Sequence, residues 1–230
     1  MFVIAIDGPS GSGKSTVAKA VATRLGLAYL DTGAMYRAVA FAAMRRGIDP
    51  EDRDTVAELA RQIDLKVEDQ VLVDGADATI EIRSPEVTRA VSIVAANPVV
   101  RVELVTRPRE WAEAHGGGVV EGRDIGSVVF PAAALKVYLT AADGERANRR
   151  SKEMLDLNYD QVAADMARRD HIDSTRAASP LSVAKDAIRL DTTGRPIEEI
   201  IDDVLDLAAQ AAQATRAARA GGADDTNPEV

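Results

Sequence analysis

The sequence predicts an α/β fold: a five-stranded parallel sheet flanked by helices, interrupted by an insert with a small antiparallel sheet and by a helical lid. Three observations carry that reading. Short apolar runs of strand length alternate with helical patterns in the first and last thirds of the chain. A glycine-rich turn, Gly8 to Ser15, joins the first run to the first helix, and the middle of the chain switches to the alternation of hairpins.

The first run, FVIAI, stops at Asp7 and Gly8, and a helix follows from about Ser15 to Leu25, closed by Gly26. A second run, Ala28 to Leu30, leads into DTGAMYRAVAFAAMRRG, whose Ala- and Met-rich stretch reads as a helix ended by Gly47. Two such units in succession imply parallel strands joined by crossover helices. Glu51 to Ile63 reads as a helix with a polar face, and LKVEDQVLVDGADATIEI alternates around Glu68-Asp69-Gln70 and Asp74-Gly75 as hairpins do. The parallel pattern resumes with GGGVVEG and ALKVYL, separated by GRDIGSVVFP, and closes with DAIRLD before a last helix from about Pro196. From Gly221 on, GGADDTNPEV lacks apolar periodicity. The expected division is a core of 1–36, 92–145 and 177–218, an insert of 37–91, a lid of 146–176 and a disordered tail of 219–230.

Composition narrows the chemistry. The chain has 230 residues, 46% of them hydrophobic, enough for a sizeable core. It has no cysteine and two separated histidines, so disulfides, thiolate metal sites and histidine cages are out, and any metal must sit on oxygen ligands. The chain opens on a strand-like run with no basic leader before it, and no apolar stretch approaches the roughly 20 residues of a membrane span, which fits a cytoplasmic protein away from membranes. A net charge of −9 and 3% aromatic content speak against nucleic acid as a partner, which would want a basic face and rings for stacking.

Gly8 to Ser15 fits G-x-x-x-x-G-K-[ST] in full and lies between a predicted strand and a predicted helix, the context that motif requires. Glycines at 8, 11 and 13 let backbone N–H groups turn toward phosphate, with Pro9, Ser10, Ser12 and Thr16 completing the loop. Lys14 reaches the β and γ phosphates, and the Ser15 hydroxyl can ligate Mg²⁺ arriving with ATP. The loop fixes a donor nucleotide and leaves the acceptor open, because GTPases, motors and small-molecule kinases all use it.

Arginines and carboxylates elsewhere bear on the acceptor. GRDIG, Gly122 to Gly126, should lie at the C-terminal edge of the sheet, where open α/β folds bind ligands. Arg123 can grip a phosphate and Asp124 can accept from an amino group or ribose, or the two can pair to close a loop. Glu121 is placed like the acid that holds water around Mg²⁺, or is buried beside a backbone amide. Arg146 and Arg150 share a helix face at i, i+4 spacing, and Arg168, Arg169, Asp173 and Arg176 form a second group. Such runs are usually solvated helix faces, but two groups flanking a polar excursion also suit a lid closing over phosphates. In LDTGAMYR, Thr32 reads as a helix cap, a ligand contact or both.

In order along the chain, IDGPSGSGKST, LDTGAMYRA, IRSPEV with VSIVAANPVVR, EGRDIGSVVFPAAALKVYLTA, ERANRR and RDHIDSTRAASPL resemble the bacterial cytidylate kinases, a family of nucleoside monophosphate kinases built on a P-loop core. The resemblance runs from Ile4 to about Asp191. It implies transfer of the γ-phosphate of ATP to CMP or dCMP with Mg²⁺, by a monomer. By motif position it assigns Thr32, Arg101, Asp124 and Arg176 to the base, Ser92, Arg169 and Asp173 to the sugar, and Arg37 with Arg123 to the acceptor phosphate. Lys14 and Arg123, with Arg146 and Arg150 of the lid, are the expected catalytic cations. Thr32 stands where serine is also found, Glu121 where some members have aspartate, and His171 and Ile172 where some relatives are charged. Cytosine offers an N4 amino donor to a carboxylate and O2 and N3 to an arginine, whereas uracil presents O4 to the same carboxylate. Kinases of AMP, UMP or shikimate are the nearest rivals. A nucleotide switch would want an N-K-x-D or D-x-x-G motif in a persuasive position, and neither is found.

Overall fold

The structure is a computed structural model that describes residues 1–153 and 158–221. Its main sheet holds β1 (Phe2–Asp7), β2 (Tyr29–Asp31), β6 (Gly117–Gly122), β7 (Leu135–Thr140) and β8 (Ile188–Asp191) in the order β2-β6-β1-β7-β8. Every pairing is parallel, with Asp7 beside Gly122 and Tyr138. The five parallel strands expected from sequence are all present. A second, antiparallel sheet of β3 (Leu65–Val67), β4 (Val71–Val73) and β5 (Ala76–Asp77) forms the hairpin region. Its second turn places Asp74 at φ 51° and Gly75 at φ 77°, the left-handed pair that a two-residue Asp-Gly hairpin uses.

Alternation along β1 sets two core layers on opposite faces of the sheet. Ile4 and Ile6 point to one side with α1 (Lys14–Leu25) and α8 (Ile197–Gly221), meeting Val17, Val21, Ile200 and Val204. Val3 and Ala5 point to the other, where α2 (Thr32–Arg45), α3 (Arg53–Gln62), α4 (Pro85–Ala96) and α5 (Pro98–Ala114) pack. The second layer is continuous with the insert: Val56, Leu59, Val71, Val73 and Ile82 belong to the same cluster as Leu30 and Val120 of the sheet. The insert is therefore seated on the sheet and has no separate core.

The pattern reading assigned no elements between the hairpins and β6, and two helices occupy that stretch. Each opens on the same device: Ser84 accepts from Val87 N before Pro85, and Asn97 accepts from Val99 N before Pro98. A capping side chain followed by proline at the first helical position is a legible start signal. A 3-10 turn, Glu81–Arg83, precedes α4, and a π-helical turn, Ile125–Val129, follows β6. The stretch expected to be a lid, 146–176, falls on α6 (Asp143–Glu153) and α7 (Tyr159–Thr175), which share a small cluster of Ala147, Val162 and Met166. α8 runs to Gly221, and the tail expected to be disordered otherwise falls on residues 222–230, outside those described. No helix of the described residues is long and apolar enough to cross a membrane.

Ile200 is fully buried where α8 covers the sheet. Ile200→Ala should cost about 2–5 kcal/mol, read as a lower urea midpoint at an unchanged m value.

Candidate active site

β1 ends in the phosphate loop, whose turns need glycine: Gly8, Gly11 and Gly13 have φ of 151°, 72° and 90°. A Cβ on Gly8 would stand 2.1 Å from the Leu139 carbonyl oxygen. Gly13 opens α1 with no side-chain cap, leaving the first amides of the helix to an anion. Lys14 is buried and folded across its own loop, donating to Pro9 O at 2.7 Å and Ser12 Oγ at 3.4 Å. Burial, reinforced by Arg123 and opposed by Glu121, pulls its ammonium well below the ordinary lysine range. Ser10, Gly11, Gly13, Lys14, Ser15 and Thr16 open onto a cleft of about 660 Å³. Around it stand Lys14, Arg37, Arg83, Arg123, Arg150 and Arg169, six cations against the carboxylates of Asp31 and Glu121.

Arg37 is buried on α2, donating to Ile82 O at 3.1 Å and Thr88 Oγ1 at 2.8 Å. Burial first, then Arg169 and Arg150, lower its pKa. Glu121 is 3% exposed and accepts from the Tyr29 hydroxyl at 2.5 Å. Burial, then Asp31, raises its pKa, with Lys14 opposing.

A second cleft, about 490 Å³, adjoins the first through Arg123, Arg169, Glu121 and Asp31. It gathers Thr32, Ser92, Arg101, Arg123, Asp124, Arg169, Asp173 and Arg176, every residue the resemblance assigned to base and sugar. The Arg123–Asp124 pair considered from sequence does not form. Arg123 Nε donates to Asp173 Oδ2 at 3.0 Å, and Asp124 Oδ2 accepts from Arg101 on α5. Arg176 lies between the two carboxylates, 3.8 Å from Asp124 Oδ1 and 3.6 Å from Asp173 Oδ1. Burial alone would raise the Asp173 pKa, but Arg123, Arg169 and Arg176 outweigh it and hold the group below its usual range. Three buried donors here make no hydrogen bond: Arg101 Nε, Arg169 Nε and Arg176 Nη2, the last two held only at ion-pair distance from a carboxylate. Buried polar atoms are rarely left so, and these converge on one cleft.

Thr32 is not the helix cap. Asp31 caps α2 through Ala34 N at 3.1 Å, while the Thr32 hydroxyl donates to Glu121 O at 2.8 Å and faces the cleft. Arg146 likewise does not share an open face with Arg150. It is buried against the loop, donating to Ser10 O at 2.9 Å, to Asp170 at 2.5 Å and to Asp143 at 2.7 Å. Arg150 lines the phosphate cleft, whereas Arg168 pairs with Asp165 on the exposed side of α7. Five charged or polar residues of the site escaped the sequence reading, Arg83 of the phosphate cleft among them. Asp7 lies under GRDIG, Asp31 holds Arg83 at 3.2 Å, Tyr29 backs Glu121, and Asp170 accepts from Ser10 N at 3.3 Å. Of these, Asp31 had a signal, an Asp directly before a helix.

A family model described as cytidylate kinase matches residues 4–210. A cytidylate kinase of Desulfitobacterium hafniense (strain Y51) is 52% identical over 89% of this chain and 91% of its own length. One from Mycobacterium leprae (strain Br4923) is 48% identical over 91% and 96%. A bifunctional pantoate ligase/cytidylate kinase of Parasynechococcus marenigrum matches 89% of this chain with 43% of its own, at 48% identity. Among solved structures, a gluconokinase from Sinorhizobium meliloti 1021 shares the fold at TM-score 0.50 and 16% identity, covering 94% of this chain and 95% of its own. The resemblance drawn from the motifs is thus matched across nearly the whole chain, which belongs to the cytidylate kinase family.

Proposed function

We infer that the chain transfers the γ-phosphate of ATP to CMP or dCMP, giving ADP and CDP or dCDP, and that the two adjoining clefts hold donor and acceptor. The observation that carries this is the meeting of a phosphate loop with a cleft whose buried arginine nitrogens lack hydrogen bonds around Asp124 and Asp173. Gly8 to Thr16 hold the ATP phosphates through backbone amides and Lys14. Arg37 and Arg123 grip the acceptor phosphate, and Ser92, Arg169 and Asp173 meet the sugar. Thr32, Arg101, Asp124 and Arg176 read the base: Asp124 accepts from the N4 amino group, and the arginines donate to O2 and N3.

Proximity does most of the work. In-line transfer needs the acceptor phosphate oxygen and the γ-phosphorus side by side, with the charge on both neutralised. The six cations around the phosphate cleft supply that field, and Arg123 and Arg169, which line both clefts, span donor and acceptor. Arg146 and Arg150 bring charge from the lid. Asp170 accepts from both Ser10 N and Arg146, so a phosphate taking that amide displaces a carboxylate and receives Arg146 in its place. The insert 37–91 and lid 146–176 close over the core and exclude water, which would otherwise accept the phosphate.

Among the described residues no three His, Cys, Asp or Glu side chains gather to hold a metal ion. The Ser15 hydroxyl beside Glu121 fits Mg²⁺ that arrives with ATP and takes most of its ligands from phosphate and water. Bound there, the ion neutralises charge on the β and γ oxygens. The enzyme works as a monomer in the cytoplasm, with neither nucleic acid nor membrane as partner.

Steady-state kinetics with CMP and UMP should give kcat/KM values apart by up to about 10⁴-fold, because the wrong base leaves buried polar groups unpaired. Equal values sink the base assignment. Asp124→Asn keeps the size of the side chain and replaces an acceptor by a donor that suits uracil O4. It should lower kcat/KM for CMP by at least about tenfold and collapse the CMP preference, with ATP affinity, measured by calorimetry, unchanged.

A further inference from the structure

Asp7 closes β1 and immediately precedes the phosphate loop, yet its side chain does not serve that loop. It is 4% exposed, and its two carboxylate oxygens accept from Ile125 N and Gly126 N, each at 2.8 Å. Those amides open the π-helical turn that follows Asp124. Asp124 stands at the N-terminal boundary of that turn and makes no capping hydrogen bond to it. An aspartate there would ordinarily bend back onto the first free amides of its own turn. Asp7, reaching across from the neighbouring strand, has taken them, and the Asp124 carboxylate is left to Arg101 and the acceptor cleft.

We propose that Asp7 is a positioning residue for acceptor recognition: by capping the GRDIG turn from outside it releases Asp124 to read the base and fixes where Arg123 and Asp124 stand relative to the phosphate loop. The register supports it. Asp7 lies beside Gly122, so the loop that leaves β6 passes directly over the end of β1. Gly126 sits between the two side chains: a Cβ there would stand 3.1 Å from the Lys136 side chain, which is tight, and 3.4 Å from Asp7 Oδ2, an ordinary contact. The two residues of the turn nearest the cleft are thereby held to a strand, not to a flexible loop. One carboxylate couples the donor half of the site, through Gly8, to the acceptor half.

The charge state is consistent with that role. Burial raises the Asp7 pKa to about 6 while the Gly126 and Ile125 amides hold it down. Asp124 pushes it up and Lys14 pulls it down, and the Lys136 stem faces the turn from β7. Asp7 is thus ionised at neutral pH and accepts through both oxygens. As pH falls through about 6 it takes up a proton, one oxygen becomes a donor, and the grip on the turn weakens.

The test is Asp7→Asn, which keeps the size and removes one acceptor. The inference rests on Asp124 reading the base, and the wild-type CMP:UMP ratio tests that reading separately. In the variant, KM for CMP should rise about tenfold and the CMP:UMP ratio of kcat/KM should fall by a similar factor, with KM for ATP within about twofold of wild type. An unchanged CMP:UMP ratio overturns the proposal, and so does a rise in KM for ATP equal to that for CMP, which would make Asp7 a support of the phosphate loop alone. If the variant does not fold, the wild-type ratio measured between about pH 5.5 and 8 decides, because the acceptor phosphate titrates equally in CMP and UMP and cytosine N3 takes up a proton only below that range. A ratio that falls below about pH 6 sustains the proposal, and one independent of pH overturns it.

Discussion

The site depends on keeping ions below the protein surface in numbers that do not cancel. Asp124 and Asp173 are 5% and 4% exposed, and Arg101, Arg123, Arg169 and Arg176 surround them. Taking such groups out of water costs several kcal/mol each unless partners return the energy. Here four arginines face two carboxylates, and three of their buried nitrogens make no hydrogen bond. The imbalance has a sign: an uncharged or cationic occupant leaves it in place, whereas a phosphate and a base edge rich in acceptors relieve it. Binding energy of this kind is stored by the fold before any ligand arrives, at the expense of stability that a neutral cleft would have kept.

Such an arrangement needs rigid supports, and the sheet supplies them. β1 and β6 are neighbours, so the phosphate loop and the GRDIG loop, which leave their C-terminal ends, emerge side by side. Arg101 comes from α5, Ser92 from α4 and Arg37 from α2, helices packed on the same face of the sheet as the insert's own apolar residues. A shift of the insert would therefore repack that layer. The α6–α7 pair is tied differently, by polar contacts: Asp170 and Arg146 hold the Ser10 peptide from both sides, and its apolar cluster among the described residues is small. Polar contacts of this kind are exchanged for others more readily than shared apolar surface is exposed to water.

How much of this was legible in the sequence follows the same physics. Strands and hairpins announced themselves by period, and the phosphate loop by glycines that the backbone cannot replace, as the 2.1 Å approach behind Gly8 makes plain. α4 and α5 did not, because the pattern reading gave no weight to Ser84-Pro85 and Asn97-Pro98, whose side chains and ring set the first turn of each helix. Pairing was harder still. Arg123 and Asp124 are adjacent in sequence and look like partners, yet they turn to Asp173, 50 residues away, and to Arg101, 23 away. A one-residue step cannot bring two side chains face to face at the mouth of a turn, and only the folded sheet shows which distant groups stand opposite. Asp7 was hidden for the same reason, since nothing local distinguishes a strand-ending aspartate that caps a turn 118 residues away.

The overall charge also gains meaning from these placements. A chain of net charge −9 repels nucleotides at a distance, and its surface gives no general attraction for phosphate. The six cations around the phosphate cleft reverse that sign over a few ångströms, against only Asp31 and Glu121. Screening at physiological salt acts over about 8 Å, so an approaching anion meets little of the distant negative surface once it is near the mouth. Inside, with water displaced, the local field is screened far less than at the surface. Affinity for an anion thus comes from a handful of cations gathered at one cleft and is compatible with an acidic exterior.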